Sequence, residues 1–125
     1  MALNDILANT ERLRIVQELV PGKQITIAHI IANPDSSLYE SIGMTSIADP
    51  SKSAIGIVTL CPAETAIIAG DVAIKAAGVK LGYVDRTNGT LVVTGSVSET
   101  EAALKALVSY AKEKLGFDVC DITRT

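Results

Sequence analysis

Side chains able to do chemistry are few in this chain, and they are scattered. His29 is the only histidine. It lies inside QITIAHIIA (Gln24–Ala32), a β-branched apolar run that reads as a strand. By the two-residue period of a strand it shares a face with Ile25, Ile27 and Ile31. A zinc site needs three or four ligands, and no cysteine or second histidine stands near His29 in the chain. A His–Cys nucleophilic pair would have to be assembled by folding, with nothing local to favour it. Cys61 and Cys120 are far apart and form no CxxC pair; in a reducing cytosol they read as ordinary half-buried thiols. Asp71, Asp85, Asp118 and Asp121 adjoin apolar elements, but none is paired at a spacing that demands acid–base work. Asp85–Arg86, at the mouth of a hairpin, is either a binding pair or an exposed turn with solvated charges. There is no GxGxxG and no P-loop. GYVDRTNG has two glycines but precedes a strand rather than a helix, so it does not cradle a phosphate in the usual way. The residues therefore point to no catalytic centre, no metal and no cofactor.

The elements that carry these residues are regular. RIVQELV (Arg14–Val20) is a short extended segment closed by Pro21–Gly22. After the His29 strand, Asn33–Pro34 forces extended geometry and ends it. PDSSLYESIG (Pro34–Gly43) is a short helix stopped by Gly43, and MTSIADPSK (Met44–Lys52) is a polar loop. SAIGIVTL (Ser53–Leu60) is a strand. A helix follows from Pro62 to about Gly78, with Pro62 at its start and Glu64 complementing its dipole. VKLGYVD (Val79–Asp85) and LVVTGSV (Leu91–Val97) are strands joined by a turn in which Asn88–Gly89 is a strong hairpin signal. Ser98 and Glu101 form a capping box. The helix they open carries Leu104, Leu107, Val108, Ala111 and Leu115 on one stripe and is stopped by Gly116. FDVCDIT (Phe117–Thr123) is a last strand. From Ser53 onward the order is β-α-β-β-α-β, the ferredoxin-like split βαβ arrangement of an α/β (α+β) domain. The first of its helices carries Ala66, Ala69, Gly70, Ala73, Ala76 and Ala77 on one stripe. A face so small suits close packing on its own sheet or on a neighbouring subunit.

Bulk properties narrow the function classes. A chain of 125 residues has room for one domain with a real core. A net charge of −3 argues against nucleic-acid binding, which uses basic surface. Apolar residues make up 48% although aromatics are only 3%. Such a surplus of Ile, Val, Leu and Ala suggests burial beyond the monomer core, most simply in an oligomer. No run reaches the ~20 apolar residues of a membrane span, and MALNDILANTER lacks the features of a signal peptide, so a cytosolic protein is expected. On residues alone three classes stay open: a self-assembling structural protein, a small ligand-binding regulator, and an enzyme whose site lies between subunits.

Three stretches carry a more specific resemblance. VPGKQITIAHIIANP, AIGIVTLCPAETAIIAGDVAIKAAGVKLGYVDRTNGTLVVTGSV and CDITRT resemble the circularly permuted shell proteins of bacterial microcompartments, which contain the BMC domain. The ethanolamine-, propanediol- and choline-utilization members are the nearest in kind. The resemblance runs from about Arg14 to Thr125. It implies a permuted BMC domain over residues 23–125, preceded by an extension over 1–22. It implies cyclic homohexamers that tile with other shell proteins into a cytoplasmic shell around aldehyde-producing enzymes, with no catalytic activity of the subunit itself. It also implies that a strand at 14–20 (Ile15, Val16, Gln17, Glu18, Leu19) joins five others in an axial β-barrel. By the same resemblance the loop Asp85, Arg86, Thr87, Asn88, Gly89 lies nearest the pore, and Lys75 makes a hexamer-edge contact. His29 has no catalytic counterpart in the family. The sequence departs from the pattern in a long extension, Met1–Leu13, where Leu3, Ile6 and Leu7 could form one amphipathic turn, and in Asn33, where unpermuted members often carry arginine. The alternative is a ligand-binding ferredoxin-like regulator with Asp85 and Arg86 at a subunit interface.

Overall fold

The computed structural model describes residues 22–45 and 54–125. The elements in chain order are β1 Gln24–Ile31, α1 Ser36–Ser41, β2 Ala54–Cys61, α2 Thr65–Ala76, β3 Lys80–Asp85, β4 Thr90–Gly95, α3 Val97–Lys114 and β5 Thr123–Arg124. The segment Arg14–Val20 and most of the loop at 44–52 lie outside the described residues.

The strands form one sheet in the order β3-β4-β2-β1-β5. All pairings are antiparallel except β1 with β5. From β2 onward the chain follows the expected β-α-β-β-α-β order. The additional strand β1 is not appended to that unit: it is inserted between β2 and β5, the unit's first and last strands.

Both α2 and α3 pack on one face of the sheet. There Ala28 and Ile30 of β1, Val58 and Leu60 of β2, and Leu91 and Val93 of β4 meet Ala66, Ala69 and Ala73 of α2 and Ala103, Leu104, Leu107 and Ala111 of α3. The small-residue stripe of α2 serves its own sheet: a methyl group added at Gly70 would lie 3.5–3.6 Å from Leu81, Leu91 and Val84. Ala76 stays exposed. On the opposite face α1 covers one part of the sheet, and Tyr39 and Met44 pack with Ile55. The hydroxyl of Tyr39 contacts that of Thr94, which donates to the Ala54 carbonyl at 2.9 Å.

Five local expectations are corrected. First, Ile25 does not share a face with His29. The β1–β2 register slips between Ile25 and Ile27, and this bulge puts Ile25 with Ala28 and Ile30 in the core while Ile27 and His29 face the other way. Second, α2 begins at Thr65 rather than Pro62. Residues Pro62–Glu64 form a turn in which the amides of Thr65, Ala66 and Ile67 each bond three residues back. Third, the capping box is Ser96 with Glu99. The Ser96 hydroxyl accepts from the Glu99 amide at 3.1 Å, and Glu99 accepts from the Ser96 amide at 3.1 Å. Both S-x-x-E spacings exist in the sequence, and the β4 ladder decides between them because it ends at Gly95, opposite Ala54. Glu101 instead pairs with Lys105 one turn on. Fourth, the strand expected over Leu91–Val97 is Thr90–Gly95. Fifth, the last strand is far shorter than Phe117–Thr123. Only Thr123–Arg124 pair as a strand, with one isolated bridge at Asp118, because Val119, Cys120 and Ile122 leave the ladder to pack against the core.

Candidate functional site

The β3–β4 connection is tightly built. Asp85 ends β3, and its carboxylate turns back into the loop that follows. One oxygen accepts from the Thr87 amide (2.8 Å) and the Asn88 amide (3.1 Å). The other accepts from the Asn88 side-chain amide (2.8 Å) and the Tyr83 hydroxyl (3.1 Å). This is an Asx turn braced from both sides. The Asn88 side chain and backbone, followed by the Thr87 amide, hold the Asp85 carboxyl below its ordinary range. The same carboxylate raises the pKa of the Tyr83 phenol by accepting its proton in a hydrogen bond. Tyr83 is a partner that the sequence reading missed. Its signal was available, since residues two apart on a strand share a face.

The loop closes on Gly89. Its amide donates to the Asp85 carbonyl and its carbonyl accepts from Leu60, both at 2.8 Å. Gly89 has φ of 78° and a buried position. Among the described residues only glycines have positive φ, so Asn88 and Gly89 do not form a two-residue type I′ turn, which requires positive φ at both centres. The loop is longer, spanning residues 86–89. Arg86, Thr87 and Asn88 are exposed while Asp85 is half-buried. A ligand pair made of Asp85 and Arg86 loses its carboxylate, which is already engaged by four donors.

His29 is half-buried on β1. Its Nδ1 lies 2.6 Å from the Thr123 hydroxyl and its Nε2 lies 3.0 Å from the Thr125 hydroxyl. These partners are more than ninety positions away in the chain and no local pattern announces them. Cys61 closes β2, Cys120 lies in the segment before β5, and both are free thiols. Among the described residues no group of three or more His, Cys, Asp or Glu could hold a metal ion. No helix among them is long and apolar enough to cross a membrane.

Lys75 sits in the last turn of α2. It is exposed and donates to Asp71 at 2.8 Å, one turn back. That hydrogen bond raises its pKa. The residues Ile15, Val16, Gln17, Glu18 and Leu19 lie outside the described residues.

Much aliphatic surface is left uncovered. Ile67, Ile68 and Ile74 on α2 are 42–54% exposed, and Leu81, Tyr83 and Val84 on the edge strand β3 are 37–51% exposed. On the face opposite α2 and α3, a cleft of about 350 Å³ opens beside α1, walled by Leu38, Ile42, Met44, Ile55, Ile57 and Tyr83 among others. Exposed apolar surface of this extent is a mark of interaction faces.

Comparison with known proteins finds relatives over most of the chain. The BMC domain model matches residues 54–123. The bacterial microcompartment shell protein EutS of Escherichia coli (strain K12) is 48% identical over 115 residues, covering 92% of this chain and 99% of that protein. The bacterial microcompartment shell protein PduU of Salmonella typhimurium is 46% identical over 112 residues, covering 90% of this chain and 93% of that protein. A solved structure described as a CutR flat hexamer superposes with a TM-score of 0.77 at 42% identity, covering 85% of this chain and 94% of that one.

Proposed function

This chain belongs to the BMC domain family of bacterial microcompartment shell proteins, and from that premise we propose that it is a structural shell subunit, self-assembling as homohexamers that tile with other shell proteins around metabolic enzymes. The observation that carries this is the match to named shell proteins over nine-tenths of the chain. The exposed aliphatic faces of α2 and β3 give it a physical basis. At about 25 cal/mol per Å², burying a standard interface of ~800 Å² per partner gives a large gross gain, partly offset by the entropy of association.

In this reading residues 23–125 are the BMC domain and 1–22 are an extension ahead of it. The family model begins at residue 54, the first residue of β2 and after β1 and α1. This supports a permuted chain in which β1 and α1 precede the unit that ordinarily opens the domain. The loop Asp85–Gly89 is the pore-proximal element. Gln24 pairs with Cys61, and the Leu60 amide bonds Gly89, so the start of β1 and this loop share one end of the sheet. A strand at 14–20, joined to β1 through Pro21–Lys23, would start from the pore end, as an axial barrel requires. Lys75, exposed at the end of α2, makes the contact between hexamers. The subunit has no catalytic role: His29 is held by two hydroxyls and Asp85 by its own loop. The shell encloses enzymes that make and consume an aldehyde in the cytoplasm.

The test is light scattering on the size-fractionated protein, followed by negative-stain microscopy of the same fractions. A mass six times the 13.1 kDa chain, with sheets or tubes at higher concentration, is the expected result. A discrete dimer or trimer without higher assembly would remove the proposal.

A further inference from the structure

The cleft beside α1 has aliphatic walls, with Leu38, Ile42 and Met44 on one side and Ile55, Ile57 and Val92 on the sheet. Its rim offers a small polar ligand little to bind. The Tyr83 hydroxyl already donates to Asp85 at 3.1 Å, and a ligand site needs convergent polar groups to fix orientation. What the cleft can recognise is shape and apolar area. α1 itself is only six residues long, too short to persist as an isolated helix, so its order depends on what packs against it. Ile42, at its C-terminal cap, is 45% exposed.

The described chain begins at Gly22, at the end of the sheet where the cleft includes Thr90. Gln24 pairs with Cys61, two residues past Thr59, and Thr59 pairs with Thr90. With strands about 4.8 Å apart and a rise of about 3.4 Å per residue, Gln24 lies about 12 Å from Thr90. Ahead of Gly22 the sequence carries Leu3, Ile6 and Leu7 at the spacing of one helical stripe, with Asn4 and Asp5 off it. The chain between Leu7 and Gly22 can span about 50 Å when extended, long enough to run out through the segment 14–20 and return. A tethered stripe also meets the cleft at a far higher effective concentration than a free partner would.

We propose that the extension Met1–Leu13 folds back on its own chain and seats Leu3, Ile6 and Leu7 in the cleft beside α1. The recognition is that of an amphipathic helix in an apolar groove. The extension thereby completes the packing of α1, and the inference does not depend on the shell reading.

The experiment uses the full chain in two forms. In the first, Leu3→Ser, Ile6→Ser and Leu7→Ser are combined. The Ile42 and Met44 amides, which bond the Leu38 and Tyr39 carbonyls at 3.0 and 2.7 Å, should exchange with solvent about fivefold faster or more. The amide of Leu107, a core residue of α3, should keep its protection and so report an intact fold. In the second, a benzophenone side chain replaces Ile6 in samples reassembled from isotope-labelled and unlabelled chains. Photo-crosslinks are expected to residues 38–44 or 83–92 of the same chain. Unchanged exchange at Ile42 and Met44 overturns the proposal. So do crosslinks confined to other surfaces, and so do crosslinks that join labelled to unlabelled chains, which would give the cleft to a second copy.

Discussion

Replacing Gly89 by alanine tests how the β3–β4 loop is built. The residue has φ of 78°, in the left-handed region that costs an L-amino acid about 1–2 kcal/mol. Steric contact adds to this. A methyl group built there would press on the Leu60 carbonyl oxygen and lie 3.0 Å from the Ala63 Cα, both backbone atoms with no rotamer to yield. The loop must then move away from the β2–α2 connection. It would lose the Leu60–Gly89 and Gly89–Asp85 hydrogen bonds, worth about 1 kcal/mol each. Reduced freedom of the unfolded chain returns roughly 0.4–1 kcal/mol. The net loss is about 3 kcal/mol, or about 10 °C in melting temperature for a domain of this size. Two internal standards separate strain from contact. Gly43 and Gly116 have φ of 74° and 70°, but nothing lies within 4 Å of a methyl group at either. Gly43→Ala and Gly116→Ala should therefore lose only about 1 kcal/mol. The assay is thermal and urea unfolding of all three variants at one protein concentration, because oligomerisation makes the midpoint concentration-dependent. If Gly89→Ala is no less stable than Gly116→Ala, the loop does not rest on the β2–α2 connection as described.

Three further outcomes follow from the same geometry. Thr100 is fully buried on α3 and its hydroxyl has no hydrogen-bond partner among the described residues; Thr100→Val should raise stability by about 1 kcal/mol in urea unfolding, and a loss of that size would show that the hydroxyl is satisfied. Asp85 has its folded pKa lowered, so its contribution to the loop is present above the ordinary carboxylate pKa and is lost only as pH falls through the lower folded value. The Thr87 and Asn88 amide signals should accordingly stay unchanged through mild acid and shift only below the ordinary carboxylate range; a midpoint at or above 3.8 would contradict the brace. Lys75→Ala removes an exposed ion pair with Asp71; hexamer mass and melting temperature should stay near wild type while sheets disappear in negative stain, and intact sheets would end its assignment to the hexamer edge.

The fold was legible where the signal is local. The short helix stopped by Gly43 is present as Ser36–Ser41, and the alternation of strands and helices after Ser53 could be read from periodicity. It was illegible where two local signals compete. Ser96 and Ser98 each begin an S-x-x-E pattern, and the length of the β4 ladder, a property of its partner β2, makes the choice. The bulge at Thr26 has no sequence mark of its own, yet it moves Ile25 to the face opposite His29. The brace on Asp85 was half legible: Asp, Asn and Gly announced the turn, but not that the carboxylate would be occupied by it.

The sequence by itself determined the element order, the apolar surplus that asks for an oligomer, and the absence of a local catalytic pattern, because each follows from composition or from neighbours a few residues apart. Only the tertiary structure decided that β1 sits inside the sheet between β2 and β5, that α2 uses its small residues on its own sheet and leaves its isoleucines outward, and that His29 is joined to Thr123 and Thr125. These are pairings between segments far apart in the chain. Closing the intervening loops costs entropy that grows only slowly with their length, so distance along the chain says little about which partner is chosen. That choice is made by the burial and hydrogen bonding of both partners together.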